Sequence, residues 1–140
     1  MNIQIVNGPN LNLVGKREPS VYGVDDMNLY IHSLKEKYNQ VELGYFQSNV
    51  EGELINHLQQ CGFNHYGIIL NAGGYTHTSV AIGDAVAAIK TPVIEVHISN
   101  IFAREEYRHQ SMISKHCKGI ITGLGIQVYE LAILAFLKGL

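Results

Sequence analysis

Glu95 and His97 sit two residues apart in the run "PVIEVHI", whose other members are all apolar. In a β-strand, side chains at such spacing leave on the same face. A carboxylate inside an apolar strand is costly unless it is paired, and an imidazole beside it is a natural partner. The carboxylate accepts from one ring nitrogen, fixes the tautomer, and leaves the other nitrogen to exchange a proton with a ligand. The competing reading is a satisfied core ion pair without chemistry. Arginine points to the same region: the chain has only Arg17, in "NGPNLNLVGKREPSVYG", and Arg104 and Arg108, soon after "EVHIS". Guanidinium suits carboxylate or phosphate, so a cluster of three indicates an anionic ligand. Surface ion pairs with Glu18, Glu105 and Glu106 are an equal alternative on spacing alone. Tyr22 rides on the opening loop with Arg17. A tyrosine becomes a base near pH 7 only if the anion gains about 4 kcal/mol of preference, much of which a neighbouring guanidinium supplies in a water-poor site. Its ordinary reading is a packing residue.

These groups need a scaffold that brings distant segments together. Strand signals at "IQIV", "VELGYFQ", "YGIILN", "PVIEVHI" and "GIITG" alternate with helix signals at "DMNLYIHSLKEKYN", "SNVEGELINHLQQCG", "THTSVAIGDAVAAIK" and "IQVYELAILAFLKGL". Asp25 or Asp26 is the expected N-cap of the first helix, Ser48 and Glu51 have capping-box spacing, and Gly62 is the expected stop. Such alternation predicts an α/β fold with a parallel sheet, since parallel neighbours need crossover helices. Five strands favour a flavodoxin-like three-layer arrangement in the order 2-1-3-4-5, with ligands beyond the carboxyl ends of the strands. "NGPN", "NAGGYTHTS" and "HISN" follow strands one, three and four, which are neighbours in that order, whereas "QSN" after strand two reads as a helix cap. The irregular stretch over residues 11–24 has the length and glycines of a lid.

A chain of 140 residues holds one domain, residues 1–140, with a real core and too little for a second. Net charge is -2 with scattered lysines, which argues against a nucleic-acid partner. No apolar run approaches a membrane span, and the N-terminus lacks a signal-peptide pattern, so a soluble, cytoplasmic protein is expected. Cys61 and Cys117 fit no zinc spacing and read as buried thiols.

Taken together, "NGPNLNLVGKREPSVYG", "QSNVEGELI", "NAGGYTHTSVAIGDA" and "EVHISNIFAREEYRHQS" closely resemble the motifs of type II 3-dehydroquinate dehydratases, nearly end to end. The resemblance implies a flavodoxin-like fold, no metal or organic cofactor, and assembly as a dodecamer of trimers. It also implies elimination of water from the small anionic substrate 3-dehydroquinate, giving 3-dehydroshikimate, in the shikimate route or in quinate breakdown. By position, Tyr22 matches the base beside the ketone and Arg17 the lid arginine that lowers its pKa. Asn10 matches the residue holding a water against the enolate oxygen. His97 matches the acid for the departing hydroxyl, and Glu95 its orienting carboxylate. Asn71 and His77 match contacts to substrate hydroxyl and carboxylate. Ile98 and Ser99 match backbone amides, with the Ser99 hydroxyl, for the substrate carboxylate, and Arg108 a further contact. Arg104 falls on a motif position without an assigned role, and Asp84 matches a residue reaching a neighbouring subunit's site. Gly74 stands where alanine is frequent, and Phe102 on a variable loop position.

Other readings fit less well. A receiver module needs acidic residues at the strand ends, where this chain has Asn and His. "GLGIQV" lacks the third glycine of a dinucleotide loop. His77, His97 and His109 have no metalloprotease spacing. Lys16 is the only lysine in the strand-end clusters, which disfavours a Schiff base. Finally, "VAIGDAVAAI" is apolar almost all round, which suits a helix covered by a second subunit.

Overall fold

The computed structural model describes residues 1–16 and 26–140; residues 17–25, with Arg17 and Tyr22 among them, lie outside the described residues. Five parallel strands form one sheet: β1 (Asn2–Asn7), β2 (Glu42–Gln47), β3 (Gly67–Asn71), β4 (Val93–His97) and β5 (Gly119–Thr122). Their order is β2-β1-β3-β4-β5, the flavodoxin-like arrangement expected from the alternating pattern. Three helices cross between the first four strands, α1 (Met27–Lys37), α2 (Glu51–Cys61) and α3 (Val80–Ala88); 3-10 turns join β4 to β5, and α4 (Val128–Leu137) follows β5. Every residue of β3 and β4 is buried, as continuous β-branched runs require when helices cover both faces.

The period of two in the central strands divides the core. Ile3, Ile5, Ile69, Ile94 and Val96 pack against Met27, Ile31 and Leu34 of α1 and Tyr129, Ile133 and Phe136 of α4. Val6, Ile68, Leu70 and Val93 face Leu54 and Leu58 of α2, Ile82 and Val86 of α3, and Ile113. Each fully buried aliphatic side chain contributes about 1.5–3 kcal/mol relative to exposure. Glu95 and His97 follow Val93 at the same period, so they project on the α2 and α3 face.

Local signals hold in some places and shift in others. Asp26 caps α1, accepting from Asn28 N at 2.7 Å. The expected box of Ser48 with Glu51 is not formed. Because α2 begins at Glu51 with Val50 at the N-cap, the residue in the third helical position is Glu53, and Ser48 Oγ donates to Glu53 Oε2 while accepting from Val50 N. Gly62 does end α2, yet in a right-handed conformation with φ -70°; a Cβ there would lie 2.3 Å from the Ile89 side chain, so packing demands the glycine. The third helix is shorter than its apolar pattern. Gly73–His77 forms a separate 3-10 turn, Ser79 Oγ accepts from Ile82 N at 2.9 Å to start α3, and Ile89 is already extended. The last helix likewise starts at Val128, after a 3-10 turn over Gly125–Gln127.

On α3, Val80, Ala81, Asp84, Ala87 and Ala88 are exposed while Ile82, Gly83, Ala85 and Val86 are buried. Gly83 touches backbone: a Cβ there would stand 2.4 Å from the Met112 carbonyl oxygen. Cys61 is buried, whereas Cys117 is only half-buried, and both are free thiols. Among the described residues, no helix is long and apolar enough to cross a membrane.

Candidate active site

A cavity of about 290 Å³ opens at the carboxyl ends of β1, β3 and β4. Its walls are Pro9, Asn10, Leu11, Leu13 and Val14 after β1, Asn71, Gly73, Gly74 and His77 at the end of β3, and His97, Ile98, Ser99, Ile101, Arg104 and Arg108 from β4 onward. Seven of the expected site residues with assigned roles therefore meet here: Asn10, Asn71, His77, His97, Ile98, Ser99 and Arg108. Arg104 joins them. Glu95 lies behind the wall, beneath His97. Asp84 does not reach this cavity; it is exposed on the outer face of α3. Arg17 and Tyr22 lie outside the described residues.

His97 is nearly buried at 5% exposure and Glu95 fully so at 0%. His97 Nε2 lies 2.5 Å from Glu95 Oε2. An ionised carboxylate only accepts, so Nε2 carries a hydrogen and Nδ1 is the nitrogen left for a ligand. Glu95 Oε1 accepts from Ser111 Oγ at 3.0 Å and Ser114 Oγ at 2.8 Å. Burial pushes the Glu95 carboxyl upward, but the hydrogen bond and charge of His97, with the two serine hydroxyls, together hold it below its ordinary value. The carboxylate is thus anionic and fully bonded, the condition that makes a buried charge tolerable.

His77 lies on the turn after β3, its ring 6.2 Å from that of His97. Its Nδ1 donates to the Gln110 carbonyl at 2.7 Å, leaving Nε2 as an acceptor. Burial, helped by the charges of His97 and Arg108, depresses its pKa, so the ring is neutral near pH 7. The turn itself requires Gly73, whose φ is +58°. Asn71 is fixed from two sides: Nδ2 donates to Tyr129 Oη at 3.0 Å and Oδ1 accepts from Gly73 N at 3.2 Å.

The loop after β4 carries the cations. Arg104 Nη1 donates to Ser99 Oγ at 3.2 Å. Arg108 Nε donates to Glu105 Oε2 at 2.8 Å, and Tyr107 Oη donates to the same oxygen at 2.6 Å. The Tyr107 hydroxyl and then Arg108 hold the Glu105 carboxyl down at about 2. Both readings of these arginines therefore apply to Arg108: it lines the cavity and is ion-paired. Glu105 fixes the guanidinium plane while leaving its terminal nitrogens without a bond to that carboxylate.

Sequence reasoning passed over several supports. "QSN" after β2 is more than a helix cap: Gln47 Nε2 bonds the Gly8 carbonyl and Asn49 Oδ1, both at 3.1 Å, and Asn49 Oδ1 accepts from Asn10 N at 3.0 Å. This holds Asn10 in its left-handed conformation, φ 71°. Tyr129 and Asn7 form a buried bridge to Asn71, with Tyr129 Oη donating to Asn7 Oδ1 at 2.9 Å. Ser111 and Ser114 brace Glu95. The signal for these was polarity inside otherwise apolar segments, as at Asn7 and Tyr129. Lys16 pairs with Asp26 at 3.6 Å, joining the two described ends that flank residues 17–25. Among the described residues, no three His, Cys, Asp or Glu side chains gather as a metal-ligand group.

Comparison with known proteins decides the family. The sequence profile described as Dehydroquinase class II matches residues 1–137. The chain belongs to the class II dehydroquinase family. A 3-dehydroquinate dehydratase of Exiguobacterium sp. is 51% identical over 139 residues, covering 99% of this chain and 95% of that protein. One from Bacillus licheniformis is 52% identical over 140 residues, covering 98% and 96%. The crystal structure of the type II dehydroquinase from Butyrivibrio crossotus superposes with a TM-score of 0.92 at 42% identity, covering 97% of each chain. This class II dehydroquinase chain thus shares its fold with a solved member over almost its full length.

Proposed function

We infer that the chain is a type II 3-dehydroquinate dehydratase, a hydro-lyase that converts 3-dehydroquinate to 3-dehydroshikimate and water. The observation that carries this is the anionic Glu95 bonded to His97 at the wall of an arginine-bearing cavity, in a chain whose length is matched by this family. The cavity is at the lower end of volumes for small-ligand sites, which run from about 300 Å³ upward, and its polar lining suits a hydroxylated ring acid.

In our reading, Tyr22, as its phenolate beside Arg17, removes the proton next to the ketone. The C–H electrons move to the carbonyl oxygen and give an enolate, met by a water that Asn10 holds. Placed donors stabilise such charge without reorganising. Collapse of the enolate forms the C=C bond and breaks the C–O bond of the β-hydroxyl, which leaves as water with a proton from His97. Glu95 steadies the imidazolium that gives that proton. Tyr22 ends protonated and His97 deprotonated, and solvent resets both. Ile98 and Ser99 present amides, and Ser99 its hydroxyl, to the substrate carboxylate, with Arg108 adding charge. Asn71 and His77, each fixed by the protein, read the hydroxyl and carboxylate side. Arg104 bonds Ser99 and sets its hydroxyl.

The reaction serves the shikimate route or quinate breakdown. We further propose that the exposed apolar face of α3 is covered by a second copy in trimers that build a dodecamer, and that Asp84 reaches the neighbour's cavity. Light scattering on the pure chain tests the assembly.

The function is tested by incubating the chain with 3-dehydroquinate in chelator and following the absorbance of the conjugated enone. Turnover is expected for wild type, with severe loss in Tyr22→Phe and Arg17→Ala and a smaller effect on binding. An inert wild type overturns the reading, and full activity in Tyr22→Phe overturns the assigned base.

A further inference from the structure

Ser111 and Ser114 lie on the segment between the cation-bearing loop and β5, and nothing in the dehydratase chemistry above requires them. Both hydroxyls nevertheless meet one oxygen of Glu95, Oε1, at 3.0 and 2.8 Å, while the other oxygen faces His97. Ser111 Oγ also accepts from Ile113 N at 3.1 Å and Ser114 N at 3.0 Å. With its lone pairs engaged by two amides, its one hydrogen is directed at Glu95. The segment is held in place independently: Ile113 is fully buried in the α2 and α3 core, and Met112 N donates to the Thr76 carbonyl at 2.8 Å.

We propose that Ser111 and Ser114 are positioning residues for proton delivery, gripping Oε1 so that Oε2 of Glu95 stays turned to His97. This rests on the dehydratase reading for its kinetic consequences. Glu95 has no exposed surface, so no solvent replaces a lost donor. The terminal torsion of a glutamate is broad by itself; two donors on one oxygen remove that freedom. A loop anchor would need no common acceptor, and here both hydroxyls converge on the single atom opposite the imidazole.

The titratable groups facing Glu95 are His97 on its own strand, His77 on the turn after β3, and Cys117 beyond the segment. Burial, with the charge of Glu95, pushes the Cys117 thiol up to about 12, so it stays neutral. His77, lowered mainly by burial, is neutral near pH 7. The serine hydroxyls favour the charged carboxylate, so removing one raises the pKa of Glu95. The loss of rate caused by protonating Glu95, which lies on the acid side of the Tyr22 titration, then begins at higher pH.

Ser114→Ala is the informative variant, because the Ser114 hydroxyl bonds Glu95 whereas Ser111 also shapes the turn. In the full chain, kcat is expected to fall about tenfold for loss of one hydrogen bond to a charged group, with KM within about twofold. The low-pH loss of kcat should begin at higher pH, and Ser114→Thr, which keeps the hydroxyl, should recover most of both effects. Proton NMR gives a readout independent of turnover: the His97 Nε2 proton should lie far downfield in wild type and move upfield in Ser114→Ala. An unchanged profile and resonance overturn the proposal, as does lower thermal stability with both unchanged. If wild type fails to dehydrate 3-dehydroquinate, the dehydratase reading falls, and the resonance alone decides the role of the serines.

Discussion

Replacing Glu95 by glutamine keeps its shape and removes its charge, in a place where solvent cannot compensate. With both serines still donating to Oε1, the new amide nitrogen faces His97 Nε2. Two donors then oppose each other, and the imidazole must adopt the other tautomer. The imidazolium also loses its counter-charge. With charge centres about 4 Å apart and an effective dielectric near 20, that attraction is about 4 kcal/mol. At about 1.4 kcal/mol per tenfold, Glu95→Gln should lower kcat about a thousandfold. KM should change little, since Glu95 is not part of the cavity wall. The assay is steady-state formation of the enone, with circular dichroism and a thermal melt to establish that the variant is folded. A folded Glu95→Gln enzyme that keeps more than about a tenth of wild-type kcat would refute the orienting role, leaving the pair as a core contact.

Four further outcomes follow from the same geometry. Tyr129→Phe leaves Asn7 Oδ1 and Asn71 Nδ2 without their buried partner; it should cost about 2 kcal/mol in urea unfolding and raise KM by loosening Asn71. Gly74→Ala adds a Cβ into open space at an ordinary φ, and should stabilise by about 0.4–1 kcal/mol. Gly73→Ala meets φ +58° and the Pro9 carbonyl at 3.0 Å, and should destabilise by more than about 1 kcal/mol. Glu95 has a depressed folded pKa, so its stabilisation is present above the ordinary carboxylate range near 4.3 and is lost as pH falls through the lower folded value. Unfolding free energies from pH 7 to pH 3 should therefore fall more steeply in wild type than in Glu95→Gln.

The strand order was legible because "YGIIL" and "PVIEV" can only be buried on both faces, and because crossover helices separate the strands. The cavity was legible because polar residues in "NGPN", "NAGGYTHTS" and "HISN" interrupt apolar runs at strand ends. What pattern could not supply was register within a turn. Ser48 stood three residues from one acid and five from another, and the helix start, set by the packing of Leu54 and Leu58, selected Glu53 over Glu51. Gly62 was legible as the stop of α2, but its reason, the Ile89 side chain packed against it, was not. The serines on Glu95 escaped notice because Ser is ordinary in a loop, and its partner lies sixteen and nineteen positions earlier in the chain. Asn49 escaped for the same reason: its work is done across 39 residues, on the turn at Asn10.

The missing side chain at Gly83 has a reach of its own. With the Met112 carbonyl occupying that space, α3 lies directly on the strap carrying the two hydroxyls beneath the acid. Close-packed interiors pass displacement along instead of absorbing it. Any change that shifts α3 must therefore shift Met112 with it, and the segment that carries the hydroxyls on Glu95 keeps its place only while that helix keeps its own.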